Sequence, residues 1–428
     1  MVNKLRSVNF LLKADNLRRF RFVFARSISA FSNLLLAVFL AQVAGESVLV
    51  NTTFTLASAY IWSTVVRFGG SNWLVTEIAK FRSPQSLIDK TLIGKDLVAT
   101  VIISICFLSV FSVVILSGLL ELEVVTSKYV LLLLVFLFFV YPVLMYAASF
   151  CVGRGYVERA VIFDPGFLTL IVTLCLGAIH FSGGIISFEV VILLYVVNSF
   201  AILLAFPVAV GAADFNLIVH GFVCWRRAFD AYITRAWLFI ESVLGLFTGW
   251  GLLFFAGVVL PSAEYSIFIL AFRFVQPVSF VQQLLNIRYS YLYAGFVSRS
   301  DFYGLDSCVR RNRSVALLMG LSYMPLLFLA LCVYKQFYSG DLVIFYVCLF
   351  LWLMQLLNVS LGPVNLLFNL MGRPIFNIAS VFFLFLGFVV CVSLDVSSAV
   401  GFSILLLLSV VLQKIYLFFM YKKMVVTS

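Results

Sequence analysis

A succession of about twelve apolar runs constrains this chain most, each near the roughly 20 residues that a helix needs to cross the hydrocarbon core of a bilayer. They fall at about 20–43, 47–68, 97–118, 129–150, 161–181, 188–210, 236–259, 265–288, 315–335, 343–369, 375–394 and 398–419. No water at membrane depth satisfies backbone N–H and C=O groups, so each run must satisfy its own, and runs of this length do so only as helices. The gaps between them are mostly too short to fold independently. With 64% hydrophobic and 11% charged residues, the soluble globular class is excluded. The fold class is all-α: a polytopic membrane protein with no soluble domain.

Charge sorts the gaps. The amino segment, the loops near 69–96, 151–160, 211–235, 289–314 and 370–374, and the tail with Lys422 and Lys423 hold most of the basic residues. The alternate gaps hold only Lys128 and Lys335, against Glu46, Glu121, Glu123, Glu264, Asp341 and Asp395. By the positive-inside rule both termini and the basic loops are cytoplasmic, which requires an even number of spans, and twelve fits. The amino end, MVNKLRSVNFLLKADNLRRFRF, is basic and amphipathic and enters a full-length span without a small-residue cleavage site, so it reads as an uncleaved anchor. The net charge of +11 is dispersed over short loops, so it serves topology rather than nucleic acid.

Two halves are expected around a central cavity: a bundle over 1–210, a cytoplasmic amphipathic linker over 211–235 with Trp225, Arg226, Arg227 and Phe229, and a second bundle over 236–428. The division rests on a weak internal repeat. GRGYVERAVI follows the fourth run and GRPIFNIASV the tenth, Glu46 and Glu264 precede the second and eighth, and Leu56-Ala57 is echoed by Leu270-Ala271.

Polar residues inside the runs are the candidate site. In the eighth run Arg273, Gln276, Ser279, Gln283 and Asn286 recur at helical spacing, with Pro277 among them. Arg273 lies on the order of 13 Å from the outer end, too deep for easy snorkelling, so it lines a path or forms a structural ion pair. The tenth run carries Gln355, Asn358, Gly362, Asn365 and Asn369 with Pro363 in its middle, amides that suit sugar hydroxyls. Arg26, Ser29 and Asn33 share a face of the first run, Thr52, Thr55 and Ser63 lead to Arg67 in the second, and Glu241, Gly245 and Thr248 line the seventh. Interhelical bonding is the rival role for the amides and hydroxyls, and snorkelling to head groups the rival for Arg26 and Arg67. Glu241 is the acidic candidate, either neutralising an arginine or coupling transport to protons.

Enzyme chemistry finds little support, and no catalytic residue, metal or cofactor is expected. His180 and His220 fall on opposite membrane sides, no phosphate-cradling Gly-rich motif with Lys occurs, and the eight cysteines lack spacings for disulfides or zinc.

The order and spacing of GESVLVNTTFTLASAY, RFGGSNWLVTEIAKF, AEYSIFILAFRF and VNLLFNLMGRPIFN, set in the six-plus-six plan, resemble the polysaccharide flippases of the multidrug/oligosaccharidyl-lipid/polysaccharide (MOP) superfamily, particularly the Wzx-type O-antigen flippases. The resemblance covers most of the chain. It implies a bacterial inner-membrane carrier that moves undecaprenyl-pyrophosphate-linked oligosaccharide from the cytoplasmic to the periplasmic leaflet by alternating access, through a cationic cavity. Its partners are then membrane lipids and, in the pathway, a polysaccharide polymerase and a chain-length regulator. Arg273, with Arg26 and Arg67, engages the pyrophosphate, while Gln276, Asn358 and Asn365 contact head group or sugar.

Two alternatives stand beside this reading. Drug and cation antiporters of the MATE type in the same superfamily typically use a first-helix carboxylate, which the run Phe20 to Ala44 lacks. An integral-membrane O-antigen polymerase usually needs a large outer loop, for which the short outer gaps leave no room.

Overall fold

The structure, a computed structural model, describes residues 27, 31–69, 96–106, 108–109, 128–153, 156–211, 239–240, 242–243, 249–299, 301–338, 342–371, 373 and 375–427. Every regular element among them is a helix. In chain order the main ones are α1 (Phe31–Ala44), α2 (Glu46–Val66), α3 (Asp96–Cys106), α4 (Lys128–Gly153), α5 (Pro165–Phe181), α6 (Phe188–Leu204), α7 (Trp250–Val259), α8 (Ser262–Ser298), α9 (Phe302–Tyr338), α10 (Val343–Ser360), α11 (Val364–Leu370), α12 (Ile375–Ser393) and α13 (Ala399–Thr427). Five segments among the described residues are long and apolar enough to cross a membrane: Val130–Val152, Phe302–Gln336, Val343–Ser360, Ile375–Ser393 and Ala399–Lys423. Large apolar side chains stand outward along them, such as Leu318 at 69% and Phe419 at 64% exposure. Exposure on that scale is what a lipid-facing surface requires and what a soluble monomer avoids.

The chain divides into two compact units. One comprises Met1–Leu36 and Ser58–Val243, the other Ala37–Ala57 and Leu244–Ser428. The expected linker, apart from Gly211, lies outside the described residues. The assignment of Ala37–Ala57 to the second unit has a local cause. Gly257 of α7 has no side chain, and a Cβ there would lie 2.7 Å from the Phe54 ring and 2.9 Å from that of Tyr265. Phe54 thereby stacks on Phe254 with ring centroids 5.1 Å apart.

In the first unit the helix starts are written in the sequence. Asp164 accepts from the Gly166 N–H at 2.9 Å and caps α5, with Pro165 at its first position. Ser187 caps α6 by accepting from the Val190 N–H. The two helices are joined inside the unit by the Tyr195 hydroxyl, which donates to Thr169 at 3.1 Å.

In the second unit α7 and α8 form an antiparallel hairpin about Leu260 and Pro261. The α12–α13 hairpin turns through Asp395, which takes φ +48°. Its packing is close: a Cβ on Gly387 would fall 1.8 Å from Ser409 Oγ and 2.8 Å from its Cβ. Lower on the same seam, Gln413 Nε2 donates to Ser380 Oγ at 3.3 Å. Lipid competes with helix faces as an apolar solvent, so close backbone approach and such polar bonds must hold helices together here.

Glu264, in the first turn of α8, accepts from the Ala399 N–H of α13 at 2.7 Å. A carboxylate at a helix N-terminus satisfies an orphan donor and favours the helix dipole. This bond also sets the starts of α8 and α13 at one end of the unit. Glu264→Ala is expected to cost about 1 kcal/mol of stability. A lower midpoint in thermal unfolding of the detergent-solubilised protein, largely restored by Glu264→Asp, checks it.

Two helices outrun their expected spans. The eighth run, read as 265–288, lies in a helix over Ser262–Ser298, and the ninth, read as 315–335, in one over Phe302–Tyr338. Each has 37 residues, or roughly 55 Å at 1.5 Å per residue, against a core of roughly 30 Å. The excess is held by a cluster of Tyr293, Leu305, Val309 and Leu367, with Asn312 donating to the Tyr293 hydroxyl.

Candidate functional site

Arg273 lies twelve residues into α8 from Pro261, roughly 18 Å along the axis and so near the middle of a bilayer core. It is 4% exposed. Its Nη1 donates to Gln276 Oε1 at 3.0 Å, one turn on. Its guanidinium carbon sits 4.2 Å from the centroid of the Trp250 ring. The antiparallel hairpin explains the second contact, because Trp250 opens α7 at about the distance from the turn at which Arg273 stands on α8. Neither contact cancels the positive charge: an amide oxygen and an indole face attract a cation while leaving it a cation.

The tenth run behaves differently from one continuous stripe. α10 ends at Ser360, Gly362 takes φ +70°, and α11 restarts at Val364. Pro363 has no N–H to give, and glycine adopts the left-handed conformation without strain, so the pair breaks the helix. Gln355 and Asn358 stay together on α10, the asparagine donating to the glutamine at 3.3 Å. Asn365 is on α11 with its side chain exposed, and its carbonyl accepts from Asn377 at 2.8 Å.

The amide pair and Arg273 occupy different sides of α8. α9 and α10 pack on the side of Ala271, Phe274 and Val278: Cys348 Sγ is 3.8 Å from the Ala271 carbonyl, the Tyr323 hydroxyl donates to the Phe274 carbonyl at 2.8 Å, and a Cβ on Gly320 would be 3.5 Å from Val278. At about 100° per residue, Arg273 and Gln276 lie roughly 130–170° round the helix from that side. The structure therefore brings Arg273 to Gln276 and Gln355 to Asn358, as two separate pairs.

In the first unit Arg67 is 6% exposed at the C-terminal end of α2. Its Nε donates to the Ser63 carbonyl at 3.0 Å and its Nη1 reaches the Met145 carbonyl of α4 at 3.5 Å. A cation there complements the helix terminus and joins two helices. Arg26, Ser29, Glu241, Gly245 and Thr248 lie outside the described residues, as do the side chains of Gln283, Asn286 and Asn369. Thr52 of α2 is 1% exposed, and among the described residues its hydroxyl has no hydrogen-bond partner.

Two charged residues escaped the sequence reading. Asp96 begins α3 at 1% exposure, in the same unit as Arg67, and Phe68 packs on the adjoining Val98 and Ala99. Its place at the edge of a run made it look like a loop residue. Lys414 lies inside α13 beside the Gln413–Ser380 bond. The rule that isolates Arg273, a charge stranded within an apolar run, finds it too.

No protein-family model and no curated protein matches the chain. Solved structures do. A MOP superfamily transporter from Pyrococcus furiosus is 12% identical, with a TM-score of 0.56, over 95% of this chain and 94% of its own. The eukaryotic MATE transporter AtDTX14 is 14% identical with a TM-score of 0.54, over 96% of both chains. A multidrug resistance MATE family transporter of the MOP superfamily, in an outward-facing conformation, is 13% identical with a TM-score of 0.54, over 96% of this chain and 94% of its own. At these identities the likeness is one of fold: the chain has the all-α polytopic fold of MOP superfamily transporters.

Proposed function

We propose that this chain is an alternating-access transporter of twelve spans in two six-helix halves, 1–210 and 236–428 joined by 211–235, that carries an amphiphile with an anionic head group. The cargo class that suits it best is undecaprenyl-pyrophosphate-linked oligosaccharide, moved from the cytoplasmic to the periplasmic leaflet of a bacterial inner membrane. Arg273 carries this reading. A guanidinium at mid-membrane depth is costly, stays protonated, and presents donors in the geometry that phosphate oxygens accept. Its contacts to Gln276 and Trp250 orient it at 4% exposure. Of the secondary residues, Gln276 acts with Arg273, the Gln355–Asn358 pair offers amides to sugar, and Asn365 offers an exposed one. Arg26 engages the head group with Arg273, Glu241 serves as ion-pair partner or coupling acid, and Arg67 combines any cargo contact with its hold on two carbonyls. A polymerase and a chain-length regulator would then receive the product.

Antiport of drugs or cations by a MATE-type mechanism is the second reading, and likeness of fold favours it at least equally. Two of the three neighbours named are MATE transporters, and Asp96, 1% exposed, supplies the first unit with a buried carboxylate. The pyrococcal neighbour is described as having a binding pocket of reverse polarity that suggests a different function. The fold thus hosts pockets of differing polarity, and residue chemistry must choose between cargoes. Here a deep arginine speaks for an anion.

Reconstituted vesicles separate the two. Lipid-linked oligosaccharide placed in one leaflet should become accessible to a glycosidase on the other side only when the protein is present. Proton-driven accumulation of a cationic dye, without movement of the lipid-linked sugar, would overturn the first reading in favour of the second.

A further inference from the structure

Outside the candidate cargo path, the outward face of α9 changes chemistry along one uninterrupted stripe. Its inward face is continuous: Leu305, Val309, Asn312, Ala316, Leu327 and Leu331 are all buried at helical spacing. The outward face is therefore continuous too, and it begins with Tyr303, 86% exposed. It then passes Arg310, Arg311 and Arg313, all exposed, and becomes Leu318, Leu321 and Leu329 at 69%, 52% and 61% exposure. The three arginines thus stand about one to two turns, roughly 7–12 Å, from the first wholly lipid-facing leucine, which is the depth of phospholipid phosphates.

Arg310 is held in place. Asp306 accepts from it one turn earlier on α9 and also accepts from the Tyr421 hydroxyl of α13 at 3.3 Å. That bond brings the end of α13, with exposed Lys422, beside the arginines. The Arg313 Cβ packs 3.6 Å from where a Cβ on Gly362 would stand, so its backbone is fixed against the break between α10 and α11. Among the described residues, Asp306 pairs with Arg310 while Arg311, Arg313 and Lys422 are also exposed, so these four cations and their one paired carboxylate carry a net positive charge. Its base is rigid, while the Arg310 side chain is 71% exposed.

We propose that Arg310, Arg311 and Arg313 of α9, with Lys422 of α13, form a binding site for the phosphate head groups of anionic membrane phospholipids, whose acyl chains lie along the leucines below. Charge complementarity selects the occupant: acidic lipids attract each basic residue near the membrane surface, and guanidinium groups take phosphate oxygens in pairs. The continuous outward stripe supplies an apolar track for the same molecule's tail. The site requires only that the chain span a membrane, so it stands apart from the cargo reading.

Native mass spectrometry of the full-length detergent-solubilised protein, titrated with dioleoyl phosphatidylglycerol or dioleoyl phosphatidylcholine, tests it. Wild type should retain the glycerol lipid at about tenfold lower concentration than the choline lipid. Arg311→Gln with Arg313→Gln should lose that preference, and Arg311→Lys with Arg313→Lys should keep most of it. Equal retention of the two lipids by wild type, or an undiminished preference in the glutamine pair, overturns the site. If the glutamine pair fails to fold, raising salt from about 50 to about 500 mM on wild type reads the same charge dependence. Loss of preference supports the site, and a salt-insensitive preference overturns it.

Discussion

Arg273→Met is expected to lower transport of an anionic lipid-linked cargo by about ten- to a hundredfold in vesicles, with only a modest loss of stability. The two halves of that expectation come from different terms. A charge-assisted hydrogen bond to an anion is worth about 1.5–3 kcal/mol, which corresponds to that range of affinity. Methionine fills similar volume at a site 4% exposed but takes the donor from Gln276 Oε1, so a loss of about 1–2 kcal/mol is expected. The rival, structural role has a larger signature: removing one member of a buried ion pair strands the other and costs about 3–5 kcal/mol. Arg273→Lys keeps the charge but loses the paired donors, so it should restore transport only in part. Transport rate at matched protein level and thermal midpoint are read together. Wild-type transport by the methionine variant, or a collapse of its midpoint, removes Arg273 from the cargo path.

What the sequence disclosed follows from what lipid does to a chain. An apolar run at the edge of hydrocarbon is conspicuous, and α4, α10, α12 and α13 overlap the expected spans. Hydropathy reports where water begins, though, and a helix ends where its hydrogen bonds end. α8 and α9 therefore continue past their spans, because Tyr293, Leu305, Val309 and Leu367 make a local core beyond the apolar runs. Gly362 and Pro363 were visible as letters, yet their joint effect is conformational: a left-handed glycine followed by a residue without an N–H turns one expected helix into two.

The candidate site was legible residue by residue and illegible as an arrangement. Helical spacing finds a polar face on α8 and another on α10, but which way each face turns depends on the partner helix. Cys348 against the Ala271 carbonyl and Trp250 against Arg273 put the two polar pairs on different sides of α8. The grouping of Ala37–Ala57 with the second unit has the same origin. It follows from Phe54 and Tyr265 meeting over Gly257, a contact some two hundred residues apart in sequence. Asp96 was missed for a different reason: burial at the edge of a run depends on what packs against it, here beside the Phe68, Val98 and Ala99 cluster.

The seam between α12 and α13 makes the second large expectation, on stability. Gly387→Leu should lower it by about 3 kcal/mol or more, because overpacking a tight contact costs about 1–3 kcal/mol even for smaller additions. The first atom beyond Cα already has nowhere to go: it meets Ser409 Oγ at 1.8 Å and Ser409 Cβ at 2.8 Å. The hydroxyl can rotate away from its bond to the Leu405 carbonyl; the Cβ can move only with the backbone. Gly387→Ala is the sharper probe, since alanine also gains about 1 kcal/mol of helix propensity over glycine, which opposes the clash. Ser409→Gly separates the two effects. It deletes both atoms within 3 Å and leaves the Leu405 carbonyl oxygen at 3.8 Å, an ordinary contact. The double variant should therefore be at least as stable as Ser409→Gly alone, while Gly387→Ala by itself falls below wild type. Their coupling should reach about 1–2 kcal/mol. Thermal or denaturant unfolding of the four proteins in one detergent measures it, and simple additivity would mean that the two helices already stand further apart than this seam requires.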